Sequence, residues 1–424
     1  MSLSKIALDM AEKVRPILVA VLPQRLLSDI KAKVISKGAK ELEKTEIKPF
    51  EPDRYPGGIN LVGSIKSDTG LGQSMRLVAH IIEHSSWDYT VYEYFVPPGD
   101  SMNNTDYDSK ISNEFKYNVN LIHVNPSEFP LAFMNVGKEH WDYRYNIGYW
   151  LWELEEFPEE WIPAFHLLDE VWTPSEFISN TLRKYTDKPV YTLPYSVTAP
   201  TDPAFDRKYF GLPEDKFLFM MMFDSGSGMV RKNPIGAIEA FKKAFGRENK
   251  QAGLVIKLNA SEQSEKDMEY IRSILDGYDN IYFICTTLNK VEVNSLTACV
   301  DVFVSLHRAE GFGLVMAEAM LVGTPVIATN WSANTEFMSE ETACMVDYQM
   351  KTLEKDIPPF KKGYHWADAD TGMAASYMKR LYEDRAFYED KRKRALEHIR
   401  QKLGIQRSVA LMEDRLKQIL EERK

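Results

Sequence analysis

Asp301–Met338 reads DVFVSLHRAEGFGLVMAEAMLVGTPVIATNWSANTEFM, and the punctuation of this stretch decides the fold. Val302–Leu306 is a short apolar, β-branched run, and Leu314–Leu321 has helical spacing. Between strand and helix stand Glu310, Gly311, Phe312 and Gly313. Glycines there let the backbone approach a ligand closely, and the following helix turns unpaired N–H groups and a positive dipole end toward it. The loop is a place to hold an anion. Glu310 lies at the rim and Glu318 about one turn inside the helix, so the two carboxylates face one ligand from different depths. Carboxylates accept from paired hydroxyls, which suits a sugar or a ribose better than a phosphate. Gly323-Thr324-Pro325 then turns into a second buried strand, Val326–Thr329. Strand, loop, helix, turn and strand make the repeating unit of a parallel α/β sheet.

Glu310 and Glu318 in this setting, with Gly-Phe-Gly after the first, Ala-Met after the second and Gly-Thr-Pro-Val-Ile-Ala beyond, resemble the donor-site signature of retaining GT-B glycosyltransferases. That family is family four of the sugar-transfer classification, the glycosyl transferases group 1. A bare Glu-x7-Glu spacing carries little information; its context here makes it specific. The resemblance covers roughly residues 57–400 and is strongest from 216 to 345. It implies two Rossmann-like, doubly wound parallel-sheet domains facing a cleft. Glu310 then holds the donor sugar, Glu318 holds the ribose, and the Gly311, Phe312, Gly313 and Leu314 backbone meets the donor phosphates.

Upstream, Lys216–Phe223 is a strand dense in Met and Phe, expected to be buried on both faces. It leads through Asp224–Gly228 to Arg231 and Lys232, then to a helix over Ile235–Phe245. Paired cations at a helix start suit a diphosphate. In the family an Arg and a Lys at this loop neutralise the donor pyrophosphate. Lys232 matches the lysine, whereas the usual arginine is replaced by Ser225–Gly228, leaving Arg231 as the candidate substitute. Lys257, ending a strand at Leu254–Leu258, is a further cation for the same phosphates. The Thr286–Asn289 loop is expected near the nucleotide base, and His307 and Arg308 beside the sugar.

The first domain opens at Gly57-Gly58 with a strand over Ile59–Gly63 and a glycine turn at Gly70 and Gly72 onto a helix. Met75 stands where a dinucleotide fingerprint needs its third glycine, which disfavours a nicotinamide dehydrogenase. The resemblance instead places Gly70 and Gly72 over the donor diphosphate and the acceptor. His123, ending the strand Asn120–Val124, is a candidate contact to a sugar hydroxyl or phosphate, with Asn125 as the alternative; a histidine bonded to its own surroundings is an equal reading. Asn146–Leu154 reads as an aromatic strand ending in acid, with Glu153 as an acceptor-side candidate. Val171–Phe177 reads as a strand ending at a Ser175 helix cap and Pro189–Pro194 as the last short strand, and Pro194–Pro203 reads as the connection between domains.

These readings divide the chain into an N-terminal helical arm (1–56), an acceptor-side domain (57–205) and a donor domain (206–383). The charged tail from about 384 to 424 is expected to cross back onto the first domain. The arm is lysine-rich (Lys31, Lys33, Lys37, Lys40, Lys44), with apolar residues at helical spacing. It suits peripheral contact with an anionic membrane, or packing on the first domain or a second subunit. Oligomeric state is not legible.

A net charge of −10 over 424 residues argues against a nucleic-acid partner. Cys285, Cys299 and Cys344 lack metal-ligand spacing, which fits a reducing cytoplasmic setting. The apolar run Ile17–Leu22 lies between Pro16 and Pro23 and is too short to span a bilayer. Asp368-Ala369-Asp370 mimics a metal-binding pair, but at an expected helix start Asp is favoured anyway, so no metal is assigned.

The sequence therefore reads as a retaining, metal-independent glycosyltransferase with no cofactor beyond its co-substrate. That co-substrate is a UDP- or GDP-linked sugar; the acceptor is a saccharide or lipid-linked saccharide of bacterial surface polysaccharide. Competing readings are a sugar-nucleotide epimerase or a phosphorylase on the same scaffold, and a non-catalytic nucleotide-binding scaffold.

Overall fold

The computed structural model describes residues 38, 42–94, 102–223, 229–258 and 262–422. Residues 1–37 and 39–41 of the expected N-terminal arm, and the Ser225–Gly228 run, lie outside the described residues. The chain forms two compact units. The first takes the described residues up to Leu151, then Phe157–Ser196 and the helix Ile405–Glu422; the second takes Trp152–Glu156 and Val197–Gly404.

Six parallel strands build the first unit: β1 (Ile59–Gly63), β2 (Tyr89–Glu93), β3 (Val119–His123), β4 (Tyr145–Tyr149), β5 (Glu170–Thr173) and β6 (Val190–Thr192), in the order β2-β1-β3-β4-β5-β6. β1, β3, β4 and β5 are buried along their whole length, as a parallel sheet covered by helices requires. Register is pinned by an asparagine ladder. Asn60 pairs with Asn120 across β1 and β3, and Asn120 with Asn146 across β3 and β4. Asn60 Nδ2 donates to Asn120 Oδ1 at 2.9 Å, and Asn120 Nδ2 to Asn146 Oδ1 at 2.8 Å. A one-residue slip at either seam would break a hydrogen bond between two buried amides.

The helix Ile405–Glu422 completes this unit. Its buried residues Ser408, Met412, Leu416 and Ile419 form one helical stripe. Arg415 reaches the fully buried Glu170 of β5, donating at 2.9 Å and 3.2 Å from Nε and at 2.6 Å from Nη2. Tyr145 and Trp172 donate to the same carboxylate, at 3.0 Å and 2.7 Å.

Glu93, at the carboxyl end of β2, is pushed by burial from its usual 4.5 up to about 7, against the pull of Lys66 and neighbouring backbone N–H groups. A carboxyl raised in the folded state contributes stability that is complete below pH 4.5 and lost as the pH rises through about 7. Glu93→Gln is expected to flatten that dependence. It should stabilise the first unit by about 1–2 kcal/mol above pH 7, after allowance for solvent screening. Urea unfolding at pH 5 and pH 8 checks this; equal responses of native protein and variant would exclude it.

The second unit has strands β7 (Phe217–Phe223), β8 (Ala252–Leu258), β9 (Ile281–Ile284), β10 (Val302–Ser305), β11 (Val326–Thr329) and β12 (Cys344–Val346), all parallel, in the order β12-β11-β10-β7-β8-β9. Phe219 of β7 packs on Phe241 and Phe245 of the helix Pro234–Phe245 and on Phe217, joining a core closed by Tyr388.

The structure departs from the sequence reading at four places. The aromatic strand ends at Tyr149, and Trp152–Glu156 goes with the second unit. There the Trp152 ring lies 5.5 Å from Phe360, and Glu156 meets His365 Nδ1 at 2.6 Å. The connection divides after Ser196, where Val197 N donates to Leu403 O, rather than at residue 205. Asp368-Ala369-Asp370 does not open a helix. Residues His365–Ala369 form a strand, β14, antiparallel to β13 (Tyr348–Thr352), and the helix begins at Thr371 with Asp370 as its cap. Asp368 is held by Arg308 and Lys351. The tail from 384 is two helices, Arg385–Lys402 and Ile405–Glu422, and only the second joins the first unit. Asp384 starts a fresh cap by accepting from Phe387 N, and the chain turns at Gly404.

Candidate functional site

Open parallel sheets bind ligands outside the carboxyl ends of their strands, where the strand order reverses. In the second unit that point lies between β7 and β10. The short helix Met229–Lys232 follows β7, and Leu306–Gly313 follows β10. Their side chains meet. Lys232 Nζ lies 2.5 Å from Glu310 Oε2, and Arg231 Nη1 lies 3.5 Å from the same oxygen while donating to Ala309 O at 3.0 Å. Arg231 Nη2 is 3.9 Å from Glu153 Oε1. Burial pushes the Glu310 carboxyl up, but Lys232 and Arg231 outweigh it and bring it down to about 2. Glu310 is an anion at every physiological pH, seated between two cations.

The wall behind this cluster is polar and fixed. His307 is buried; its Nε2 lies 3.1 Å from Asn334 Oδ1 and 3.2 Å from Trp331 O, its Nδ1 3.2 Å from Ser305 O, and burial lowers the pKa of the ring. Arg308 is fastened to Asp368. Gly313 takes φ 96°, and a Cβ there would stand 2.7 Å from Met316 Cε, so glycine is required to start the helix Leu314–Leu321. Gly311 and Phe312 are buried beside it and Leu314 is half-buried; the Phe312 ring packs on Phe337 at 5.5 Å.

Within that helix Glu318 is buried, and its Oε1 is paired with Lys290 Nζ. Burial raises this carboxyl in spite of the ammonium against it. Lys290 is a residue the sequence reading passed over, although it follows directly on the Thr286–Asn289 loop placed near the base. Lys257 is buried, and its ammonium donates to Thr286 O at 3.0 Å and Leu258 O at 3.2 Å.

The first unit has its own reversal, between β1 and β3, and carries there the helix Gly70–Glu83 and His123. Thr69 caps the helix by accepting from Gly72 N. A Cβ on Gly72 would stand 2.1 Å from Ser67 O, whereas Gly70 faces open space, so Gly72 answers to the turn and only Gly70 leaves room for a ligand. His123 is buried, stacked on Tyr149, and bonded through Nε2 to Ser74 Oγ at 2.7 Å; Ser74 also meets Tyr195 OH. Burial pushes its ring down to about 4, so it is neutral. Asn125 Oδ1 accepts from Leu151 N at 3.0 Å and braces the chain after β4. Glu153, by contrast, sits with Arg231 in the second unit.

Two six-stranded parallel sheets with flanking helices, reversing at these points, are the GT-B glycosyltransferase fold. The chain shares it with Alr3699/HepE of Anabaena, solved in complex with UDP and glucose: 12% identity, 85% of this chain and 100% of that one, TM-score 0.64. Sucrose-phosphate synthase from Thermosynechococcus elongatus matches at 15% identity over 86% of this chain and 100% of its own, TM-score 0.63. A glycosyltransferase from Rickettsia africae matches at 11% identity over 86% and 99%, TM-score 0.59. Residues 205–401 match the family model for glycosyl transferases group 1. No curated protein matches the chain. Among the described residues no helix is long and apolar enough to cross a membrane.

Proposed function

We propose that the protein transfers a sugar from a UDP-sugar to a saccharide or lipid-linked saccharide, with retention of configuration, in the assembly of a surface polysaccharide. The observation that carries this reading is the convergence of Lys232, Arg231 and Glu310 at the strand reversal of the family-matched unit, with Glu318 in the helix behind. Lys232 stabilises the charge developing on the departing diphosphate, aided by the helix N-terminus at Leu314. Arg231 is bound to Ala309 O, so its part is to hold the Glu310 loop in place. Glu310 accepts from the donor sugar and Glu318 from the ribose. In this reading the reaction uses no metal and no cofactor beyond the nucleotide sugar. The departing phosphate receives the acceptor's proton as the new bond forms on the same face. UDP is chosen because Alr3699/HepE is solved with it.

Thermal stabilisation by a panel of nucleoside diphosphates, without added metal, tests the donor site. UDP at about 100 times its Kd is expected to add about 2.7 kcal/mol, a rise of roughly 5–10 °C in the second unit's melting. Glu318→Ala should abolish it. A flat response to every nucleotide would remove the reading, and a response to GDP alone would reassign the base. Product analysis with saccharide acceptors separates transfer from epimerisation.

A further inference from the structure

Lys290 is in an unfavourable place for its own helix. It is the first residue of the helix Lys290–Cys299, so its cation lies at the positive end of the dipole. A capping box holds it there: Asn289 Oδ1 accepts from Glu292 N at 3.0 Å, and Glu292 Oε2 from Asn289 N at 2.8 Å. Helix stability therefore does not account for a lysine at this position. Its ammonium instead goes to Glu318, whose side chain is 4% exposed and flanked in its helix by buried Met316, Ala317, Ala319 and Met320. Lys290 itself keeps 33% of its side chain in solvent, so the pair spans the boundary between interior and water. Ion pairs buried this far add little to stability compared with apolar packing.

We infer that Lys290 is the positioning residue for the nucleoside end of the donor: by binding Glu318 Oε1 it fixes the carboxylate in the orientation that takes the paired ribose hydroxyls. A carboxylate has about four acceptor sites, so an ammonium on one oxygen leaves capacity for two hydroxyls. The inference rests on the donor-site reading above and extends it to a residue outside the Glu-x7-Glu stretch.

Calorimetric titration of UDP and 2′,3′-dideoxy-UDP into the native protein, Lys290→Met and Lys290→Arg tests it. In the native protein the dideoxy compound should bind roughly 10- to 100-fold more weakly than UDP, the scale of hydrogen bonds to a charged group. Lys290→Met should weaken UDP about tenfold and leave the dideoxy compound within about twofold, so that the two ligands converge. Lys290→Arg should restore most of the difference. If Lys290→Met weakens both ligands equally, or neither, while remaining folded by circular dichroism, Lys290 is a countercharge only and the inference is overturned. Failure of the native protein to bind UDP would instead overturn the donor-site reading, and this inference with it.

Discussion

Lys232→Ala is expected to lower kcat by roughly 10²- to 10³-fold, the cost of deleting one preorganised charge aimed at a leaving group. The geometry makes the expectation specific. Lys232 and Arg231 both serve Glu310, but the Lys232 ammonium is at 2.5 Å and Arg231 at 3.5 Å, with Arg231 also bound to Ala309 O. Arg231 cannot swing to the phosphates without releasing that carbonyl, so it does not replace Lys232. The same variant withdraws the main charge holding the Glu310 carboxyl at about 2, and that group then titrates at higher pH. Steady-state turnover with a UDP-sugar, beside a melting curve, separates lost catalysis from lost folding. Unchanged turnover in a folded variant would show that the leaving group is stabilised elsewhere.

Arg415→Ala is expected to destabilise the first unit by about 3–5 kcal/mol, because it leaves the fully buried Glu170 carboxylate without its cation. Tyr145 and Trp172 still donate to Glu170, but neither carries charge. Differential scanning calorimetry should show one transition falling by roughly 10 °C, with the second unit's transition unmoved. Glu170→Gln with Arg415→Met, which removes both charges, should recover much of the loss. A change below about 1 kcal/mol in the single variant would mean that the carboxylate finds other donors at little cost.

Glu310, Lys232 and the switch-point loops were legible because each belongs to a local pattern of strand, loop and helix start. Lys290 was not. Its partner Glu318 is distant along the chain, and a lysine at a helix start carries no signal until the fold brings the two together. The hairpin β13–β14 was misread for a related reason. Every residue of β13 is exposed, and its Tyr-Gln-Met-Lys-Thr alternation runs for only five residues beside no other strand signal, while Asp370 is a strong cap that draws the helix start forward. Trp152–Glu156 shows its aromatic and acidic character in the sequence, but which unit it joins depends on Phe360, His365 and Arg231. The asparagine ladder, too, reads as three scattered polar residues until the strands are laid side by side.

The helix Ile405–Glu422 gives the molecule an order of assembly. Glu170 leaves the ribosome 245 residues before Arg415 does. At about 5–20 residues per second, that is a wait of roughly 10–50 s with the carboxylate's cation not yet made. The strands of the N-terminal unit thus stand incomplete through the synthesis of almost everything that follows, while Val197–Gly404 needs only the short upstream piece Trp152–Glu156, already translated. The half of the protein that is made first is the half that is finished last, and a nascent-chain chaperone has its longest opportunity there.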